Sequence, residues 1–214
     1  ALKEPDIAAQ EYVKLAYKYP DHELIPMVMS RLGDYFQKKG QQFKDRAKPL
    51  REKVDERSVA EVLRLDGLSY PEFLNAAMVF TKLLTRFPDD PLAGLAGIRS
   101  GQNFMRALQY EKAIDVFQDI IDNEEFDGGK IRAQALFWGA YSRELYPTSE
   151  DDYRTRGKMT QEAYQMYRRI TFDFPDSIWP KRARGRLADP VFERIIEQEN
   201  EARERLIENI KSMR

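Results

Sequence analysis

Apolar residues return along this chain at spacings that one face of a helix requires, and each return closes on the same kind of ending. Ala8, Tyr12, Leu15 and Tyr19 lead into Pro20-Asp21, Ala76, Phe80, Leu83 and Phe87 into Pro88-Asp89, and Ala163, Tyr167, Ile170 and Phe174 into Pro175-Asp176. In each copy the positions follow the first by four, seven and eleven residues. Those offsets stack the side chains on one helical face, and proline, which lacks an amide donor, stops the helix. The pattern predicts a punctuated helical array.

A second register supports the first. Thirteen residues after each of those prolines stands a small residue, Gly33, Gly101 or Ala188, and in two copies an aromatic follows three positions later, Phe36 and Phe104. A small-residue notch beside a large ring lets helices pack closely in pairs. The middle copy is the most complete: Ser100-Gly101, Phe104, Tyr110, Ala113, Phe117 and Ile120 give a notch helix, a turn and an alanine-aromatic helix in succession.

Helix limits follow from the punctuation. The first helix is expected from Pro5 to Tyr19, and its partner from Pro26 to Lys39 with Gly40 ending it. Residues 41–57 are charged on most sides, and a further helix from Ser58 to Leu65 is expected to stop at Gly67, with Tyr70-Pro71 restarting the array. The helix Ile131 to Tyr146 carries Ala135, Trp138, Gly139 and Ala140, a further notch beside a ring. Pro147 ends it, before the polar stretch Thr148 to Gly157. Asp189-Pro190 opens a last helix on which Phe192, Ile195, Ala202, Leu206 and Met213 keep a three-four rhythm. That stripe suits a helix sealing the end of an array, or pairing with another chain as an imperfect coiled coil.

Composition narrows the function classes. Of 214 residues, 42% are hydrophobic and 33% charged, enough for a core in a largely helical protein. With 35 basic and 36 acidic side chains there is no global field to hold a polyanion, which argues against nucleic acid as partner. The absence of cysteine removes disulfides, thiol nucleophiles and zinc ribbons, and leaves periplasm and cytoplasm both open. No apolar run approaches the roughly 20 residues of a membrane span, and neither an initiating methionine nor a signal peptide stands at the start, as in a mature protein or an excised fragment.

Candidate chemistry is sparse. His22 is the only histidine and lies beside the Tyr19-Pro20-Asp21 turn, with no serine or threonine in a nucleophile setting. Asp119, Asp122, Glu124, Glu125 and Asp127 form an acidic patch without the alternate-position ligands and closing glutamate of a calcium loop. Gly94 to Gly97 and Gly128-Gly129 lack the spacing of a phosphate cradle. Lys181, Arg182, Arg184 and Arg186 spread round a helix, as a solvated face or as a docking patch for an acidic protein or lipid headgroup. No catalytic, cofactor or metal residue is assigned.

At the offsets given above, the chain resembles the tetratricopeptide repeat family, whose unit is a helix-turn-helix of about 34 residues. The aromatic-Pro-Asp endings look most like its bacterial envelope branch, the BamD-type assembly lipoproteins and the Tol-Pal-associated coordinators. The resemblance covers residues 5–40, 72–125 and 131–190. The intervals from Pro20 to Pro88 and from Pro88 to Pro175, 68 and 87 residues, make the array irregular.

The expected fold is therefore all-α, a right-handed superhelix ending in a long amphipathic helix. It is laid out as first repeat elements (1–40), a charged insertion (41–70), central repeats (71–146), an insertion loop (147–159), a last repeat (160–188) and a capping or oligomerising helix (189–214). The resemblance implies a non-enzymatic scaffold whose notch helices line a concave surface for a protein or peptide partner. On that surface it would place Ser30, Asp34, Gln37, Gln102, Met105 and Arg106, with Tyr141 as a third-repeat candidate. Location in the bacterial periplasm or cell envelope is expected on the same ground, the cytoplasm staying open. A spacer or self-associating segment of a longer array, or the substrate-recruiting module of a multidomain enzyme, are the alternative roles.

Overall fold

Each aromatic-Pro-Asp junction ends one helix and starts the next in the same way. The amides of Tyr19, Phe87 and Phe174 make the last helical bonds, to Leu15, Leu83 and Ile170, and the proline behind each has none to offer. The carbonyls of those aromatics then accept from His22, Asp90 and Ser177, three residues on. In all three turns the side chain at that position accepts from the amide two residues further: His22 Nδ1 from Leu24, Asp90 Oδ1 from Leu92, Ser177 Oγ from Trp179. The single histidine thus does the turn work of an aspartate and a serine.

The computed structural model describes residues 4–126, 129–149 and 152–212, with the side chains of Glu124, Glu199, Ala202, Arg203 and 206–212 left aside. Among the described residues all regular structure is helical: α1 (Glu4–Lys18), α2 (Ile25–Ala47), α3 (Glu56–Arg86), α4 (Ala93–Arg106), α5 (Tyr110–Asp122), α6 (Lys130–Glu144), α7 (Tyr153–Asp173), α8 (Trp179–Leu187) and α9 (Glu193–Ser212), with short 3-10 turns between some of them. Helices α1 to α8 pack each on the next, and the even-numbered α2, α4, α6 and α8 also touch one another in series. Those four form one continuous layer.

The repeated alanine-aromatic-aliphatic faces make the core. Ala76, Phe80 and Leu83 of α3, Ala113, Phe117 and Ile120 of α5, and Ala163, Tyr167 and Ile170 of α7 are all fully buried. Each large side chain so buried contributes roughly 1.5–3 kcal/mol. The same face of α1 stays half open, with Leu15 41% and Tyr19 48% exposed, because α1 has a packing neighbour on one side only. The glycine notches receive rings from the partner helix: a Cβ on Gly33 would lie 2.6 Å from Phe80, and one on Gly101 2.4 Å from Phe117. Ala188, expected as the third notch, is exposed beyond the end of the nine-residue α8, whose buried small residue is Ala183.

Two expected stops lie inside helices. Gly40 is buried within α2, where a Cβ would come 3.0 Å from the Phe73 ring, so it serves close approach rather than termination. Gly67 and Pro71 both lie inside α3, a single 31-residue helix. The carbonyl that Pro71 leaves without a donor belongs to Gly67, four residues back, which has open space around it. Packing along α2 outweighs the roughly 3 kcal/mol that an internal proline costs. Segment 41–70 is therefore the far end of a long α2–α3 hairpin.

Ion pairs close that end. Asp66 accepts from Lys44 at 3.0 Å and from Arg51 at 2.6 and 2.8 Å, and Lys39 meets Glu72 at 2.8 Å. Burial pushes the Asp66 carboxyl up, but the hydrogen bonds from Lys44 and Arg51 outweigh it and hold the group below its ordinary value. A depressed carboxylate stabilises the fold above the unfolded value and loses that contribution as pH falls through the folded one. Asp66→Asn should cost about 1–3 kcal/mol near neutrality. Urea midpoints should show the gap from the parent narrowing as pH falls below the ordinary carboxylate range, and closing once Asp66 is protonated in the folded state as well.

Candidate functional site

The even-numbered layer presents side chains from the middle of α2 and from the C-terminal turns of α4 and α6. Asp34 and Gln37 stand on α2, Gln102, Met105 and Arg106 on the last turns of α4, and Tyr141 on α6. Helix α4 closes at Leu108, which takes a left-handed φ of 59°, a conformation glycine adopts more readily, and the sharp turn leaves Arg106 at the helix rim.

Two cavities lie on this face and Arg106 lines both. The first, about 520 Å³, runs along α2 past Asp34, Gln37, Lys38, Gln41, Gln42 and Asp45. The second, about 290 Å³, lies between α4 and α6 and is lined by Gln102, Met105, Arg106, Trp138, Tyr141 and Leu145. Six of the seven expected residues line one or other of these two cavities; Ser30, half-buried on α2, lines neither.

Their bonding separates them. Asp34 is held by Arg99 at 2.6 Å and Gln37 Oε1 accepts from Asn103 Nδ2 at 2.8 Å, so both tie α2 to α4. Asn103 is fully buried and its Oδ1 has no donor within reach among the described residues. Arg106 lies over the Phe73 ring, 5.5 Å from its centre, and among the described residues no carboxylate pairs with it. Partial burial pushes its guanidinium below the ordinary value while one edge stays exposed.

The rest of the second cavity is aromatic and apolar. Trp138 and Tyr141 meet edge to face with centres 6.0 Å apart, and Arg186 covers the Tyr141 ring from α8 at 5.6 Å. The Trp138 indole nitrogen is buried with no acceptor among the described residues. Burial, and then the neighbouring Tyr141 and Tyr70 hydroxyls, raise the Tyr110 phenol above its usual value, so a tyrosine ledge borders the face. The sequence pattern does not single out Trp138 and Leu145 as lining residues; the signal for both is the α6 notch at Gly139, which puts them on the same face as Tyr141.

Elsewhere the polar groups serve the fold. Asp122 accepts from Gln118, Asn123 caps Glu125, and Asp119 is raised by burial and by Asp115 and Asp122. Asp127 lies outside the described residues, and among those described no group of three or more donors is arranged to hold a metal. In the basic run, Arg182 lies on the Trp179 ring at 4.9 Å and Arg186 pairs with Glu144. Of the expected stripe on α9, Phe192 is fully buried against Tyr164 and Tyr167, while Met213 and the Ala202 and Leu206 side chains fall outside the description. No described helix is long and apolar enough to cross a membrane.

Compared with known proteins, the chain matches no family model, no curated protein and no solved structure.

Proposed function

We propose that this chain is a tetratricopeptide-like module that binds a protein or peptide segment reversibly, without a covalent step, on a concave face formed by α2, α4 and α6. The observation that carries this is the pair of cavities that share Arg106 as a lining residue. One is lined by three glutamines among charged side chains, which suit a polar main chain, and the other mainly by apolar groups and rings with one cation, which suit side chains. In this proposal the stacked even-numbered helices are the inner lining of a right-handed superhelix, and α9 its end cap. The aromatic-Pro-Asp endings support a role in bacterial envelope assembly.

The test uses peptides that the intact chain selects from a displayed library. Gln102→Glu combined with Arg106→Glu is expected to weaken binding at least tenfold, about 1.4 kcal/mol, with helicity and melting temperature unchanged. Unaltered affinity in a folded double variant would move the site off this face. A second reading, self-association or continuation of a longer array, is favoured by α1. Val13 and Tyr17 there are 51% and 89% exposed beside cavities of about 610 and 590 Å³.

A further inference from the structure

Several arginines that tie the helices together have a carboxylate partner. Arg99 has Asp34, Arg143 has Glu162, Arg86 has Asp21 and Arg186 has Glu144. Arg106 combines three features: it lies over the Phe73 ring, it lines both cavities, and no described carboxylate pairs with it. A guanidinium fixed over a ring, solvent-accessible and without a counter-charge, is placed to take an incoming carboxylate through charge-assisted hydrogen bonds.

Its surroundings define what accompanies that carboxylate. Arg106 is the one charged side chain lining the α4–α6 cavity among the described residues, and Gln102 supplies an amide donor beside it. Met105, Trp138, Tyr141 and Leu145 make the remaining walls. At about 290 Å³ the space falls at the lower edge of the roughly 300–1,000 Å³ of small-molecule sites, and it has room for one or two side chains. Beyond Arg106 the neighbouring cavity carries Gln37, Gln41 and Gln42 with Lys38; the Gln37 amide group can donate, the Gln41 carbonyl can accept and Gln42 can do both toward an extended main chain.

Resting on the proposed peptide-binding role, we infer that the groove reads an internal acidic residue next to a bulky apolar one in an extended segment. Arg106 and Gln102 take the carboxylate, and Met105, Trp138, Tyr141 and Leu145 enclose the apolar side chain.

The probe is a positional-scanning library of acetylated, amidated octapeptides, in which every carboxylate is a side chain. The intact chain should enrich aspartate or glutamate beside leucine, isoleucine, methionine or phenylalanine. Arg106→Gln should lose the acidic preference and bind the best acidic peptide tenfold or more weakly, while keeping the apolar preference. Arg106→Lys should restore part of the acidic preference. If Arg106→Gln keeps the acidic preference while the Gln102→Glu, Arg106→Glu pair abolishes binding, the groove stands and the assignment of its ligand falls. If the parent selects nothing, or selection ignores every groove substitution, both fall together.

Discussion

Gly101→Val is expected to destabilise the fold by about 3 kcal/mol or more. A Cβ alone at this position would lie 2.4, 2.6 and 2.7 Å from three atoms of the Phe117 ring. Phe117 cannot retreat easily. It is fully buried, and its own Cβ lies 3.3 Å from where a Cβ on Gly139 would stand, so it is wedged between α4 and α6. Valine adds two methyl groups to that collision, against roughly 1 kcal/mol or less gained in helix propensity over glycine. Gly185→Ala on α8 is the control, because nothing lies within 4 Å of its would-be Cβ. It should be neutral or add up to about 1 kcal/mol. Urea unfolding followed by far-UV circular dichroism separates the two; a loss below about 1 kcal/mol for Gly101→Val would mean that Phe117 has another place to go.

The wedge also shows what the chain's pattern reveals and what it hides. Gly33 and Gly101 are legible as notches because small residues recur in one register, yet the ring that fills each comes from the next helix. Sequence alone pairs each notch with its own neighbour, Phe36 or Phe104; packing pairs it with Phe80 or Phe117. Gly40, Gly67 and Pro71 read as punctuation because local propensity is all that a lone sequence displays. The long α2–α3 contact overrides it.

The face of the candidate site divides along the same line. Gln102, Met105, Arg106 and Tyr141 are placed together by the family resemblance, which assigns one side of each notch helix to a common surface. Asp34 and Gln37 share that side but are occupied by Arg99 and Asn103, 65 and 66 residues away. No local pattern announces such partners. His22 illustrates the converse: its role as a turn acceptor becomes evident only when the equivalent positions hold Asp90 and Ser177.

The second large effect is expected at the joint that fastens the C-terminal third. Glu144, at the end of α6, receives both the Tyr167 hydroxyl from α7 and the Arg186 guanidinium from α8. Its side chain is 10% exposed and that of Arg186 35%, so the carboxylate is the buried hub and the guanidinium reaches it from the rim. Burial first, and then the bond to Glu144, raise the Tyr167 phenol far above its usual value, which keeps it a donor at any ordinary pH.

Glu144→Ala removes the acceptor and leaves a cation and a buried hydroxyl unmatched. The expected loss is about 2–4 kcal/mol, below the full range for buried pairs because water still reaches Arg186. Tyr167→Phe deletes one hydrogen bond and keeps the ring that packs on Phe137 and Phe192, so it should cost only about 1 kcal/mol. The Glu144→Ala loss should also be local. Helix α8 is otherwise held by Trp179, against Phe137 at 5.1 Å, and by Ala183. Amide exchange should therefore quicken over 179–192 before it quickens in α3 to α5. Uniform quickening would mean that α8 unfolds only with the whole array, and an unchanged urea midpoint would mean that Arg186 finds an equal partner in Asp189, now 3.6 Å away.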